Sequence, residues 1–99
     1  MTKQHPAELT KARIEIDAID REMVLLLARR QLVVQQVIAI KKRHGLPGLI
    51  PERVDEVINN VVRLAMQSGA SPVLVRKLWT LMVDWFVQLE ERELQAFVD

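Results

Sequence analysis

A chain of 99 residues with 14 basic and 13 acidic side chains carries a net charge of +1 and has no cysteine. This length allows one domain with a modest core, the near balance of charge gives no broad attraction to nucleic acid, and the missing cysteines exclude disulfides and thiolate chemistry. The N-terminus has no apolar signal core and no run approaches the roughly 20 apolar residues of a membrane span. We therefore expect a cytoplasmic protein that does not enter a membrane.

The first predicted element is one very long helix. Between Pro6 and the stretch HGLPG at 44–48 there is neither glycine nor proline, and apolar residues recur there at helical spacing. The predicted helix covers residues 7–43. At 1.5 Å per residue, about 36 residues extend about 54 Å, whereas a domain of about 100 residues has a radius of gyration near 13 Å. Because the overhang is apolar, we expect a homodimer in which the long helices cover each other.

Two further helices follow, and no strand pattern appears. Pro51 suits the first turn of the second helix, and Gly69 suits a cap at its C-terminus. Ser71 and Pro72 form an N-cap and first-turn pair that opens the third helix. These helices are predicted over 51–68 and 71–97. The sequence thus predicts an all-α fold in a single domain, residues 1–99.

Two cations lie inside the apolar stripe of the first helix. On a helical wheel at about 100° per residue, Lys41 falls about 20° from Arg30, among leucines and valines. Such side chains often extend along apolar surface to reach water at its edge. Here both are near the centre of the stripe, 11 residues apart, so their charged groups can converge. Two converging cations in an apolar setting are costly unless an anion lies between them.

The third helix carries a matching carboxylate. Trp79, Val83, Phe86, Leu94 and Phe97 all lie within about 40° of Glu90 on the wheel, so the carboxylate is embedded in an aromatic and aliphatic face. One interpretation is a structural ion pair with Arg30 or Lys41. The other is a binding site for a small dianion with an apolar body, in which burial could keep the carboxyl group partly protonated.

Other candidate residues complete this outline. Arg13 lies about 25 Å along the helix from Arg30, so it would reach a ligand there only from the partner chain of an antiparallel dimer. Arg53, in the first turn of the second helix, is a further candidate, and a solvated surface role is the alternative for both arginines. His5 and His44 have no second ligand at metal spacing, so no metal site is expected.

The chain resembles the small all-α chorismate mutases and the related isochorismate-pyruvate lyases from about Leu9 to Leu94. The resemblance rests on ARIEIDAIDREMVLLLARR, on Lys41 eleven residues after Arg30, on PERV at 51–54 and on LWTLMVDWFVQLEE. It implies an intertwined dimer of three-helix chains with two equivalent pockets and no cofactor. The implied substrate is a small dicarboxylate, chorismate or isochorismate.

The resemblance also implies a role for each candidate residue. Arg30 and the partner subunit's Arg13 would hold the two carboxylates, and Lys41 would donate to the ether oxygen as the C–O bond breaks. Arg53 would assist from the second helix. The implied apolar walls of the pocket are Val37, Val57, Val83 and Phe86. Catalysis would then come from conformational restraint and fixed positive charge.

The chain departs from typical mutases at several positions. Glu90 aligns with a Gln that donates to the ether oxygen, so it would have to be protonated to donate, and activity should favour lower pH. Val54 replaces a Glu that binds the ring hydroxyl, Ile50 replaces an acidic loop residue, and Phe86 replaces a small polar one. PERV and the aromatic pair of DWF are more similar to the lyases.

Several functions therefore stay open. The first is the rearrangement of chorismate to prephenate, and the second is the cleavage of isochorismate to salicylate and pyruvate. A third is the rearrangement of an amino-substituted chorismate. The competing class is a non-catalytic helical dimerisation module, in which Arg30, Lys41 and Glu90 form a buried ionic network that fixes the dimer register.

Overall fold

A computed structural model describes residues 5–95 and contains, within them, three α-helices and no strand. This confirms the predicted all-α fold class. The helices are α1, Ala7–His44, α2, Pro51–Ser68, and α3, Pro72–Gln95. The predicted end of the third helix at residue 97, with Phe97 on its apolar face, lies outside the described residues.

Helix α1 ends at His44, directly before the first glycine of the HGLPG stretch. Gly45 adopts a left-handed conformation, with φ of 64°. The N–H of Leu46 donates to the carbonyl of Lys41 at 2.9 Å, and the N–H of Gly45 donates to that of Lys42 at 3.4 Å. This pair of bonds is the Schellman motif, which satisfies the last carbonyls of a helix and turns the chain away.

The turn between α2 and α3 is formed by the residues that the sequence singled out. Gly69 caps α2 with φ of 84°, and the N–H of Ala70 donates to the carbonyl of Ala65 at 3.0 Å. Ser71 caps α3, since its Oγ accepts a hydrogen bond from the N–H of Leu74 at 3.2 Å. Local capping chemistry therefore sets both boundaries.

The described chain divides within α1 into two units, residues 5–35 and 36–95. In the first unit every side chain from residue 5 to residue 29 is exposed. The exposed residues include large apolar ones, with exposed fractions of 64% at Ile14 and Val24 and 67% at Leu32. This unit has no core of its own.

The second unit has a small core built mainly by α2 and α3, which pack against each other. Its buried apolar side chains are Ile38, Ala65, Val83 and Phe86. The rings of Trp85 and Phe86 meet edge to face, with centroids 5.1 Å apart and planes at 88°. The apolar stripe of α1 did not predict the burial of Ile38. The stripe was defined for the whole helix, whereas only the last turns of α1 belong to this unit and pack in its core.

The apolar character of α1 qualifies the expectation about membranes. By length and composition alone, α1 meets the criterion for a helix that could cross a membrane. Core helices of soluble proteins meet the same criterion. Arg29 and Arg30 lie within the helix, and a charged side chain at the centre of a bilayer is costly.

Candidate active site

The second unit contains a nearly buried ion pair between α1 and α3. The Nζ atom of Lys41 lies 2.9 Å from Oε1 of Glu90, and the two side chains are only 12% and 11% exposed. Opposite charges at this distance interact strongly when little water separates them. Glu90 is therefore ion-paired in the described chain, as one of the two interpretations of the sequence required. Whether the pair also serves a ligand stays a prediction.

Lys41 has a second partner in the loop between α1 and α2. Its Nζ donates to the backbone carbonyl of Gly48 at 2.9 Å. Lys41 lies in the last turn of α1, so the chain returns to its ammonium group immediately after the Schellman turn. An ammonium has three N–H groups. The Gly48 carbonyl accepts from one of them, and Glu90 faces the same ammonium as its ion-pair partner. Lys41 thus keeps the capacity to donate to a further acceptor, such as a substrate oxygen.

Apolar side chains accompany Glu90 along α3. Val83 and Phe86, two turns and one turn before it, are buried with exposed fractions of 7% and 4%. Trp79 and Leu94 are half-buried. A carboxylate in these surroundings needs a charged or hydrogen-bonding partner to remain ionised at low cost, and Lys41 is that partner.

An open depression of about 610 Å³ lies beside Lys41. The loop after α1 forms one side of it, through Leu46, Pro47 and Gly48, and α3 contributes Glu91 and Leu94. The sequence of this loop predicts only the end of one helix and the start of the next. Its role as a wall depends on contacts with α3, for which the local sequence carries no signal.

The other predicted site residues are distributed over both units and differ in their exposure. Arg53 lies in the first turn of α2, is 62% exposed and forms an ion pair with Glu56 one turn further along. Val37 and Val57 are half-buried. Arg13, which is exposed, and Arg30, which is half-buried, belong to the first unit. Of the predicted charged residues, the second unit thus brings together Lys41 and Glu90.

Among residues 5–95, no group of three or more His, Cys, Asp or Glu side chains is arranged to hold a metal ion. His5 and His44 are both exposed.

The family model for chorismate mutase type II matches residues 12–91. The match covers α1 from its second turn, all of α2, and α3 as far as the residue after Glu90. The chain therefore belongs to the chorismate mutase type II family, and the resemblance drawn from its motifs is confirmed.

Individual relatives point the same way. The chain is 49% identical over 67 residues to the T-protein of Haemophilus influenzae, which covers 68% of this chain but only 18% of that protein. The chain thus spans about a fifth of the length of that T-protein. It is 29% identical over 91 residues to a 4-amino-4-deoxychorismate mutase of Streptomyces venezuelae, covering 92% of this chain and 86% of the relative. With the chorismate mutase of Methanocaldococcus jannaschii it shares 24% identity over 88 residues, 89% of each chain.

Proposed function

We propose that the chain is a chorismate mutase that rearranges chorismate to prephenate in pockets formed by a cytoplasmic homodimer. The observation that carries the proposal is Lys41, whose ammonium group is held by Glu90 and by the Gly48 carbonyl in a chain of this family. A fixed cation among apolar side chains is what a reaction that builds negative charge on an ether oxygen requires.

The proposed roles are those that the resemblance implies. Arg30 and the partner subunit's Arg13 bind the two substrate carboxylates, and Lys41 donates to the ether oxygen. Arg53 supports the bound substrate from α2, after leaving its pair with Glu56. The apolar walls of the proposed pocket are Val37, Val57, Val83 and Phe86.

The dimer is proposed because α1 lacks cover in a single chain. Most of the large apolar side chains along its first part are more than half exposed, for example Ile19 at 55% and Leu26 at 57%. Burying such side chains is favourable at about 25 cal/mol per Å² of apolar surface, and α1 of a second copy offers a surface of matching length and character. The same packing would bring Arg13 of one chain toward Arg30 of the other.

The proposed chemistry needs no covalent intermediate and no cofactor. A pericyclic rearrangement breaks the C–O bond as a C–C bond forms within one substrate molecule. The protein would hold the flexible enolpyruvyl group in its reactive conformation and stabilise the charge that develops on oxygen. One preorganised donor at such an oxygen typically contributes a factor of about 10²–10³ in rate.

Glu90 is proposed to act as a second donor in its protonated form. As an ionised group it can only accept hydrogen bonds, and here it is the ion-pair partner of Lys41. When substrate binds, the carboxyl group has to give up this ion pair and take a proton to donate to the ether oxygen. Activity should therefore increase as the pH falls.

A second candidate substrate is 4-amino-4-deoxychorismate. A relative named a mutase of that compound matches 92% of this chain. Val54, in the first turn of α2, stands where the resemblance places a Glu that binds the ring hydroxyl. An apolar residue there removes the contact that would select a hydroxyl group at that ring position.

The experiment that tests the proposal is an assay of the purified protein with three substrates, between about pH 5 and 8. Chorismate, 4-amino-4-deoxychorismate and isochorismate are supplied separately, and prephenate, its amino analogue, and salicylate with pyruvate are the products measured. We expect prephenate from chorismate. Salicylate from isochorismate would identify a lyase instead, and no product from any substrate would favour the dimerisation module.

A Lys41→Met variant links the activity to the site. Because it removes the donor to the ether oxygen, we expect the kcat for chorismate to fall about 10²–10³-fold. Lys77→Met is the matched control, since Lys77 is an exposed lysine on α3. An unchanged kcat in a folded Lys41→Met protein would contradict the proposed role.

A further inference from the structure

The loop between α1 and α2 approaches α3 unusually closely at one residue. Gly48 is buried, and a Cβ atom added to it would lie 2.9 Å from both the backbone N and the Cγ of Glu91. It would also lie 3.2 Å from the carbonyl carbon of Glu90. Real Cβ atoms essentially never come within 3.0 Å of such neighbours. Only glycine therefore allows the loop to lie at this depth against α3.

The requirement for glycine at position 48 is a matter of contact and not of backbone conformation. Among the described residues, the glycines with positive φ are Gly45 and Gly69. A Cβ atom on either of those two would meet nothing within 4 Å. The loop thus contains two glycines that are required for different reasons. Gly45 adopts a left-handed backbone conformation and has open space around it, whereas at Gly48 there is no room for a Cβ atom.

The close approach of Gly48 to α3 places its carbonyl oxygen against the Lys41 ammonium group. The Gly48 carbonyl accepts a hydrogen bond from Nζ at 2.9 Å, and Glu90, beside which the loop lies, holds the same Nζ at 2.9 Å. Displacing the loop from α3 would move the carbonyl away from Nζ while leaving Lys41 and Glu90 chemically intact. The distance between the loop and α3 at Gly48 is therefore coupled to the position of the Lys41 ammonium group.

We propose that Gly48 is a positioning residue, which fixes the Lys41 ammonium by letting the loop carbonyl reach it against α3. The proposal rests on the proposed function for its catalytic consequence, since only a reaction that uses Lys41 responds in rate. Its structural part, the restraint of Lys41, does not depend on any substrate. This separation allows the two claims to be tested independently.

The variant that tests the proposal is Gly48→Ala, with Gly45→Ala as its matched control in the same loop. In Gly48→Ala the new methyl group pushes the loop from α3, so we expect kcat for chorismate to fall about tenfold to a hundredfold, as misplacing a reacting group does. KM should change much less, because the arginines proposed to bind the carboxylates are unaltered. Gly45→Ala is strained at positive φ and should lower thermal stability while leaving kcat unchanged.

A substrate-free measurement follows Lys41 directly. Full-length protein is treated with limiting acetic anhydride, and acetylation of Lys41 is quantified by peptide mass spectrometry against exposed Lys11 and Lys77. Loss of one hydrogen bond should raise the relative acetylation of Lys41 by about twofold to tenfold in Gly48→Ala. Gly45→Ala should match the unaltered protein. If Gly48→Ala does not fold, Gly48→Ala combined with Glu91→Ala, which removes the contact to Cγ, carries the same test.

The outcomes separate the two claims. Unchanged Lys41 acetylation in the folded Gly48 variant, or equal losses of kcat in the two glycine variants, would overturn the positioning role. If the unaltered protein converts no chorismate, the proposed function fails, and the acetylation comparison still decides whether Gly48 restrains Lys41. A rise in acetylation confined to the Gly48 variant supports the proposal in either case.

Discussion

In the first unit, residues 5–35, Leu25 and Leu26 leave 53% and 57% of their surface exposed, whereas in the second unit Val83 and Phe86 expose 7% and 4%. Both units are helical and rich in apolar residues. The second unit folds two helices against each other and buries a core within one chain. The first consists of one stretch of helix with nothing of its own to pack against. Helix formation and the burial of apolar side chains are therefore separate problems here, and we propose that a second copy of the chain supplies the burial for the first unit.

The largest expected effect comes from a charge placed on the exposed apolar surface of the first unit. Leu26→Glu puts a carboxylate where we propose that a second copy packs, and burying an unpaired charge there is prohibitive. We expect the dimer to dissociate and chorismate mutase activity to be lost with it. Light scattering at matched protein concentration, together with the chorismate assay, measures both effects.

Gln35→Glu is the control for that variant, since Gln35 is an exposed residue of the same unit outside the apolar stripe. It adds the same charge and should leave the dimer and the activity intact. A Leu26→Glu protein that remains dimeric would show that this surface is not the interface.

A smaller effect is expected from a cavity in the second unit. Phe86→Ala removes a ring that is buried and packs edge to face on Trp85. Truncations of this kind typically lower the free energy of unfolding by about 3–5 kcal/mol. Urea unfolding at one fixed protein concentration measures the change, because a dimer's stability depends on concentration. Thr80→Ala, at an exposed position on α3, should stay within about 0.5 kcal/mol of the unaltered protein.

The smallest effect concerns the protonation of Glu90. In the unaltered protein kcat/KM should be higher at the low end of the range between about pH 5 and 8, since only a protonated carboxyl group can donate to the ether oxygen. Glu90→Gln supplies an N–H donor at every pH, so its profile between about pH 5 and 8 should be flatter. Equal slopes for the two proteins would rule out Glu90 as the titrating group.

The parts of the fold that local chemistry determines were predictable from the sequence. Gly69 and Ser71 mark the turn between α2 and α3 through their own backbone and side-chain hydrogen bonds. The end of α1 followed in the same way from the HGLPG stretch, within one residue. The pattern of residues along one face of α3 likewise predicted that Glu90 lies among apolar side chains.

Contacts between distant parts of the chain were not predictable. The burial of Ile38, and the approach of Gly48 to α3, depend on how the end of α1 and its loop meet the other helices. Lys41 was singled out for its place in the stripe, but spacing alone could not decide whether Glu90 pairs with Lys41 or with Arg30, and it gave no signal for the Gly48 carbonyl. The roles of Arg13 and Arg30 remain predictions, because they concern a second chain.

The central claim is that each pocket combines residues of two chains, and mixing two inactive variants tests it most directly. Arg13→Ala and Arg30→Ala should each lower the kcat/KM for chorismate about 10²–10³-fold. If the partner subunit's Arg13 serves the Arg30 pocket, a mixed dimer has one intact pocket. Equal mixing followed by subunit exchange should then restore about a quarter of the unaltered activity, since half of the dimers are mixed and each has one working pocket of two. Activity that stays at the level of the separate variants after exchange would contradict the shared pocket.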